Sequence, residues 1–296
     1  MRSKYVRRSL LYMPGSSMKM LNKAVTLHPD AVILDLEDAV SIAEKEMARQ
    51  QVIDMLPAIK ASGKEVLVRV NGMDTPWGVE DLQAIIPCKP DAIVLPKASV
   101  QYVMTADCVM TVLEKKYQME PYSIGMVPLF ETTDAIVNGY EILGLTPRIN
   151  GVQFGAEDLT KEMEISRTPG GEEVRYAREQ LIFAARARGI DSLDTPYTDV
   201  KNLEGLQADV NNAKAMGFTG KTCIHPAHID TINATFTPSE EEVERSKGIV
   251  AAMKEGIAQG KGAVMYENKM IDAPVAMRAQ KIVEKAERIA AACQTK

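Results

Sequence analysis

The sequence predicts an α/β protein, a (β/α)8 TIM barrel followed by a C-terminal helical extension. Eight short runs of β-branched and aliphatic residues, spaced roughly thirty residues apart, mostly alternate with helical patterns, and such alternation implies a parallel sheet. Nearly every run ends in polar or charged residues, as barrel strands do where they deliver side chains to a common mouth. No G-x-G-x-x-G or Walker lysine motif favours an open, doubly wound sheet instead. At 296 residues the chain exceeds the roughly 250 of a barrel, so an appendage is expected.

The first run, Ser9–Met13, stops at Pro14-Gly15, and a helix carrying Lys19 and Lys23 follows. Those lysines are one helical turn apart, the usual spacing of a solvated face. The second run, Ala31–Asp38, feeds a helix that reaches about Ile59 and stops at Ser62-Gly63. Glu65–Asn71 is the third. Ala92–Lys97 is the fourth, with a helix to about Tyr117 behind it. The fifth, Ile124–Thr132, ends in Glu131. The sixth starts at Ile149 and runs through Phe154 to Gly155, which lets the chain turn without a side chain, and then to Glu157 and Asp158. A helix ending at Arg188-Gly189 leads to the seventh run, Ile190–Asp194, and the eighth is Thr219–His225.

The barrel is expected over 1–235 and the extension over 236–296. Ser239 and Glu242 have the spacing of a capping box. Gly260-Lys-Gly262 then breaks that helix, Ala263–Tyr266 is a short strand, and a last amphipathic helix follows Met270-Ile-Asp-Ala-Pro274. Its apolar residues, from Val275 to Ile289 and Cys293, recur every three or four positions.

Composition excludes several classes. A net charge of −5, a pI near 5.5 and 5% aromatics speak against a nucleic-acid surface. The basic start, Met1 to Arg8, lacks the apolar core of a signal peptide, and no run is long enough for a membrane span. Cys88, Cys108, Cys223 and Cys293 form no C-x-x-C pair and read as reduced cysteines of a cytoplasmic protein.

The strand ends offer Asp35, Glu37 and Asp38; Arg69 and Asn71; Lys97; Glu131; Glu157 and Asp158; Asp194; and His225. Each acid alone suits a helix N-terminus, and Lys97 suits an ion pair at the core edge. Convergence from most strands onto one barrel face points instead to a site. Acids at the ends of the fifth and sixth runs are hard oxygen ligands for one Mg²⁺, other positions going to water and substrate. His225 and His228 form H-P-A-H, but no third histidine lies nearby to make a zinc set.

The motifs L-Y-M-P-G (11–15), L-D-L-E-D (34–38), V-R-V-N-G (68–72), L-P-K-A (95–98), F-E-T (130–132), F-G-A-E-D-L (154–159), I-H-P (224–226) and M-I-D-A-P (270–274) resemble the citrate lyase β-subunit family, in order along the whole chain. The resemblance implies a Mg²⁺-dependent barrel, with Mn²⁺ as a substitute, that cleaves a citryl thioester to an acetyl thioester and oxaloacetate. It implies an acyl carrier protein subunit and an α subunit as partners, and a homo-oligomer, a trimer. By matching motifs, Glu131 and Asp158 would bind the metal and Arg69 the substrate carboxylate. Tyr12, Lys19, Lys23, Ile224 and His225 would line the thioester channel. Asp272 would be the acid/base residue, acting in a neighbouring subunit's barrel. The same superfamily holds malyl-CoA and methylmalyl-CoA lyases and thioesterases. A different class, a complex-forming subunit without activity, has no need of Arg69, Glu131, Asp158 and Asp272 together.

Overall fold

The computed structural model describes residues 3–294, with side chains as far as residue 292. Cys293 and the first two residues of the basic start lie outside the described side chains. In chain order the elements are β1 (Ser9–Pro14), α1 (Met18–Thr26), β2 (Ala31–Asp35), α2 (Lys45–Ala61), β3 (Glu65–Arg69), α3 (Pro76–Ile85), β4 (Ala92–Leu95), α4 (Val100–Lys116), β5 (Gly125–Phe130), α5 (Thr133–Val137) and α6 (Gly139–Ile142). Then come β6 (Gly151–Phe154), α7 (Ala156–Glu162), α8 (Arg175–Arg188), β7 (Asp191–Asp194), α9 (Leu203–Met216), β8 (Gly220–Cys223), α10 (Ile229–Phe236), α11 (Glu240–Ala258), β9 (Val264–Tyr266), β10 (Lys269–Ile271) and α12 (Ala273–Gln294).

Strands β1 to β8 pair in sequence order, all parallel, and β8 returns to β1, closing the barrel. Closure explains why the runs are apolar almost throughout: one side of each strand fills the barrel and the other lies under helices. Leu10, Ala31, Ile33, Leu67, Ala92, Val94, Val127, Leu129 and Leu193 form the interior cluster, with Tyr12 packed against it.

The strands are shorter than their apolar runs suggest at the carboxyl end. β2 stops at Asp35, β3 at Arg69, β4 at Leu95 and β8 at Cys223. Beyond these points single bonds, such as Leu36 N–H to Arg69 O and Ala98 N–H to Leu129 O, tie loops to neighbouring strands. Glu37, Asp38, Asn71, Lys97 and His225 therefore sit in loops, and Asp158 in the first turn of α7.

The sequence reading passes over α3 and α9. Pro76 and Gly78 look like turn residues, but Pro76 is at the start of α3, where its missing N–H costs nothing, and Gly78 is buried against the Gly72 carbonyl. Asn202 caps α9 by accepting from Gly205 N–H, and Leu206, Val210 and Ala213 are its buried face.

At the amino-end face, charges are matched. Arg7 holds Glu65 through Nε at 2.9 Å and Nη2 at 2.7 Å, and Arg8 holds Asp30. Arg7 and Arg8 are thus structural. The described cysteine side chains, Cys88, Cys108 and Cys223, are free thiols. Among the described residues no helix is long and apolar enough to cross a membrane.

The chain divides into two compact units, Met1–Ala234 and Thr235–Lys296. In the second, the Ser239–Glu242 capping box opens α11 with both reciprocal bonds made. β9 pairs antiparallel with β10, a partner strand that the sequence reading did not anticipate. Ile249, Met253, Ile271 and Ala279 form this unit's own small core.

Candidate active site

A cavity of about 440 Å³ opens at the carboxyl mouth of the barrel, lined by Tyr12, Asp35, Arg69, Glu131, Asp158 and Ile224 among others. β1, β2, β3 and β5 bring Tyr12, Asp35, Arg69 and Glu131 together because alternate residues on each strand face the barrel axis.

Arg69 is held from one side. Its Nε and Nη2 each donate to Asp35 at 2.7 Å, and its guanidinium lies 4.9 Å over the Tyr12 ring. Burial works against its charge, but Asp35 raises its pKa well above the usual value. Asp35 is itself fixed, accepting from the backbone N–H groups of Glu37 and Ala39. The Asp35 fork uses one edge of the guanidinium and leaves Nη1 without a hydrogen bond, in ion-pair contact with the acids of the loop after β2. Nη1 is 3.1 Å from Glu37 and 3.6 Å from Asp38. Asp35 and Glu37 belong to this constellation although the sequence reading singled them out only as strand-end acids. Asp35 ends β2 and Glu37 follows in the turn that the Asp35 carboxylate caps, so strand periodicity does not mark Glu37.

Glu131 is 3% exposed and accepts the Lys97 N–H at 2.8 Å through Oε1. Burial, then the nearby Glu37 and Asp158 charges, push its carboxyl up to about 8, against the Lys97 N–H and Arg69. Glu37 is pushed up to about 7, first by burial and then by Asp38 and Asp35, with Arg69 opposing. Carboxyls this close to neutrality can take or give a proton. Lys97, at φ 46°, holds a left-handed backbone conformation that is costly for a non-glycine residue and common at functional sites. Burial lowers its pKa, but Glu37, Asp158, Glu131 and Asp38 together raise it. Its ammonium makes no ion pair within 4 Å among the described residues, so it is not the core-edge pair that sequence left open.

Gly155 has φ −115°, ordinary extended backbone, so the turn does not require glycine. The requirement is space: a Cβ there would stand 2.6 Å from Glu131 Cβ and 2.9 Å from its Oε2. Asp158 follows in the first turn of α7, with no hydrogen bond or ion pair among the described residues. Glu157, also at the cavity edge, pairs with Arg167 at 2.9 Å. Among the described residues no group of three or more His, Cys, Asp and Glu side chains converges as a metal set. The donor set on offer is two oxygen ligands, a carboxylate raised in pKa first by burial and then by its acidic neighbours, and one without a hydrogen bond or ion pair among the described residues. That set fits a hard divalent cation that keeps water and substrate oxygens in its remaining positions.

The other residues singled out from sequence are placed differently. Ile224 lines the cavity, whereas Lys19 and Lys23 are exposed on α1 and do not. His225 is exposed, its Nδ1 accepting the Ala227 N–H, and His228 is buried with Nε2 3.3 Å from Val200 O. Asp194 faces outward, where Arg178 and Lys221 bind it, and Asn71 turns to Asp81 and the Leu36 carbonyl. Asp272, in the second unit, caps α12 by accepting the Val275 N–H at 3.1 Å.

A closed parallel eight-stranded barrel with an acid-rich cavity at its carboxyl mouth defines the class: a (β/α)8-barrel enzyme, with the residues for metal-assisted acid–base chemistry. The chain belongs to the HpcH/HpaI aldolase/citrate lyase family, whose sequence model matches residues 8–226. A second model, for C–C bond lyases of the TIM-barrel fold, matches 174–290. The citrate lyase subunit beta of Leuconostoc mesenteroides subsp. cremoris is 33% identical over 96% of this chain and 94% of its own. A (3S)-malyl-CoA thioesterase of Cereibacter sphaeroides is 37% identical over 96% of each. Among solved structures, protein CitE from Mycobacterium tuberculosis, in complex with magnesium, acetoacetate and coenzyme A, aligns with a TM-score of 0.79 at 28% identity. That alignment covers 96% of this chain and all of the other.

Proposed function

We propose that the protein is a Mg²⁺-dependent carbon–carbon lyase that cleaves a citryl thioester to an acetyl thioester and oxaloacetate, as the β subunit of citrate lyase. The observation that carries this reading is the convergence of Arg69, Glu131 and Asp158 on one cavity, in a chain alignable end to end with citrate lyase β subunits. The thioester would be carried on an acyl carrier protein or on coenzyme A, with an α subunit loading it. The Mycobacterium tuberculosis relative, described with magnesium and coenzyme A, supports both the metal and the carrier group.

Cleaving the bond between C2 and C3 of a 3-hydroxy thioester requires loss of the hydroxyl proton, a grip on the developing keto acid, and protonation of the thioester enolate. Glu131 and Asp158 would hold Mg²⁺, which would supply Lewis acidity for loss of the hydroxyl proton. The Nη1 side of Arg69, exchanging its contact with Glu37, holds a substrate carboxylate and places positive charge near the developing oxyanion. Asp272 is the candidate donor to the enolate carbon. Arg69→Lys keeps a charge but loses both the Asp35 fork and the Nη1 edge. We expect kcat/KM for citryl-CoA to fall at least about tenfold, or about 1.4 kcal/mol. Near-normal kinetics in the lysine variant would remove Arg69 from the reaction.

Asp272 is proposed to act in the barrel of a neighbouring subunit, within a homo-oligomer. Mixing inactive Asp272→Ala and Glu131→Gln chains under conditions that exchange subunits should then restore activity, since some sites combine an intact barrel with an intact tail. No recovery despite demonstrated exchange would place Asp272 in its own barrel or outside the reaction.

The 37% identity to a (3S)-malyl-CoA thioesterase supports a second reading, hydrolysis of a malyl thioester. Assay of the purified chain separates the two. Oxaloacetate released from citryl-CoA supports the lyase, and free thiol and malate from malyl-CoA, without citryl cleavage, support the thioesterase.

A further inference from the structure

Gln153 on β6 lies one layer deeper in the barrel than Glu131. It pairs in register with Leu129, two residues before Glu131 on β5, and lines the cavity. The residue is 2% exposed. Its Nε2 donates to the Tyr12 hydroxyl at 2.5 Å, while its Oε1 is buried with no partner. An unmatched polar group next to the apolar interior cluster of the barrel is costly, and gains most when a ligand completes it.

The two ends of a glutamine amide exchange places by a turn about the last side-chain bond. With the Tyr12 hydroxyl donating to Oε1, the Nε2 group takes the unmatched position and offers N–H donors alone. The Arg69 guanidinium lies over the same Tyr12 ring, and Asp35 is already matched by Arg69. N–H donors in a cavity that also holds a guanidinium suit a carboxylate.

Citryl and malyl thioesters share the thioester, the 3-hydroxyl and the carboxylate beside it. They differ in one substituent on the hydroxyl-bearing carbon, a carboxymethyl arm in citryl and a hydrogen in malyl. We propose that Gln153, held by Tyr12, binds the carboxymethyl arm and makes the cavity specific for the longer acid. The identity of the substrate rests on the lyase reading; the recognition of an extra carboxylate rests on the amide. A site built to hydrogen-bond a group discriminates strongly against analogues lacking it.

The test compares two keto acids, oxaloacetate and pyruvate, which differ by that carboxylate alone. Their binding to the full chain with Mg²⁺ is measured by titration calorimetry. The wild type should prefer oxaloacetate. Gln153→Leu should weaken oxaloacetate at least tenfold and change pyruvate by less than twofold. Gln153→Glu, which sets a like charge against the arm, should lose oxaloacetate further and still bind pyruvate, showing that the cavity remains folded. Tyr12→Phe should lose part of the preference. A wild type without preference, no change in Gln153→Leu, or equal losses for both keto acids would overturn the proposal. Citryl-CoA cleavage is assayed separately: preserved discrimination without cleavage would overturn the lyase reading and leave the role of Gln153 standing.

Discussion

Glu131→Gln should lower citryl-CoA cleavage by at least about 10³-fold, a loss of about 4 kcal/mol of transition-state stabilisation, while the barrel stays folded. The amide keeps the shape of the side chain, and its Oε1 can still accept the Lys97 N–H that Glu131 accepts at 2.8 Å. Gly155 leaves the same room for either side chain. Only the negative charge disappears, and with it a ligand for Mg²⁺. Mg²⁺ should accordingly raise the Tm of the wild type and not that of the variant. The metal-free proteins should respond to pH with a definite sign. Burial raises the Glu131 carboxyl to about 8 from an ordinary value of 4.5, so the folded state holds a proton that the unfolded chain has released. Stability from that proton is fully present below 4.5 and is lost as pH rises to about 8. Metal-free Glu131→Gln should therefore gain on the wild type across that window. Full wild-type activity in the variant, or full wild-type activity in excess chelator, would remove Glu131 from the metal site.

Lys221→Met is expected to destabilise the fold by about 3–5 kcal/mol without touching the cavity. Lys221 Nζ stands 2.6 Å from both Asp194 and Asp209, and Arg178 Nη2 stands 2.6 Å from Asp194. Lys221 and Asp194 are both fully buried. Removing the lysine leaves Asp194, where water does not reach, and the partly exposed Asp209 against one arginine, which is the costly way to break a buried pair. Replacing both partners, as in Asp194→Leu with Lys221→Met, should recover part of the loss, since no charge of that pair remains unmatched. Burial opposes the charge of Asp194, but Lys221 and then Arg178 hold its carboxyl below the usual 3.8. Its contribution is present above that value and lost as pH falls through the folded value, so the difference between Lys221→Met and the wild type should narrow in acid. Urea denaturation at pH 7 and at acid pH measures both effects; a change within about 0.5 kcal/mol at pH 7 would show that the cluster is dispensable.

Asp194 and Asp158 show where reading residues in a line stops. Both are acids at or just past the carboxyl ends of barrel strands. Period-two alternation on β7 puts Leu193 inside the barrel and Asp194 outside, against Arg178 on α8 and Lys221 on β8. Asp158 instead follows a glycine whose missing side chain makes room for Glu131. A list of strand-end acids treats the two alike, because the sorting depends on partners that lie 16 and 27 residues from Asp194 in the chain.

By itself the sequence determined the architecture and most of the residues that matter. Apolar runs buried on both faces, alternating with amphipathic helices, have few solutions other than a parallel sheet covered by helices, and eight such units close. The Ser239–Glu242 box and Gly189 at φ 69° are likewise local chemistry, legible over a few residues. Tertiary structure alone decided which charges remain available. It matched Arg7 and Arg8 at the amino-end face, committed one edge of Arg69 to Asp35 and set its Nη1 against Glu37, and raised the carboxyls of Glu37 and Glu131 toward neutrality. It also left one end of the Gln153 amide without a partner. These outcomes depend on distance and on exclusion of water, quantities that no local pattern encodes, because the groups that fix them come from different strands.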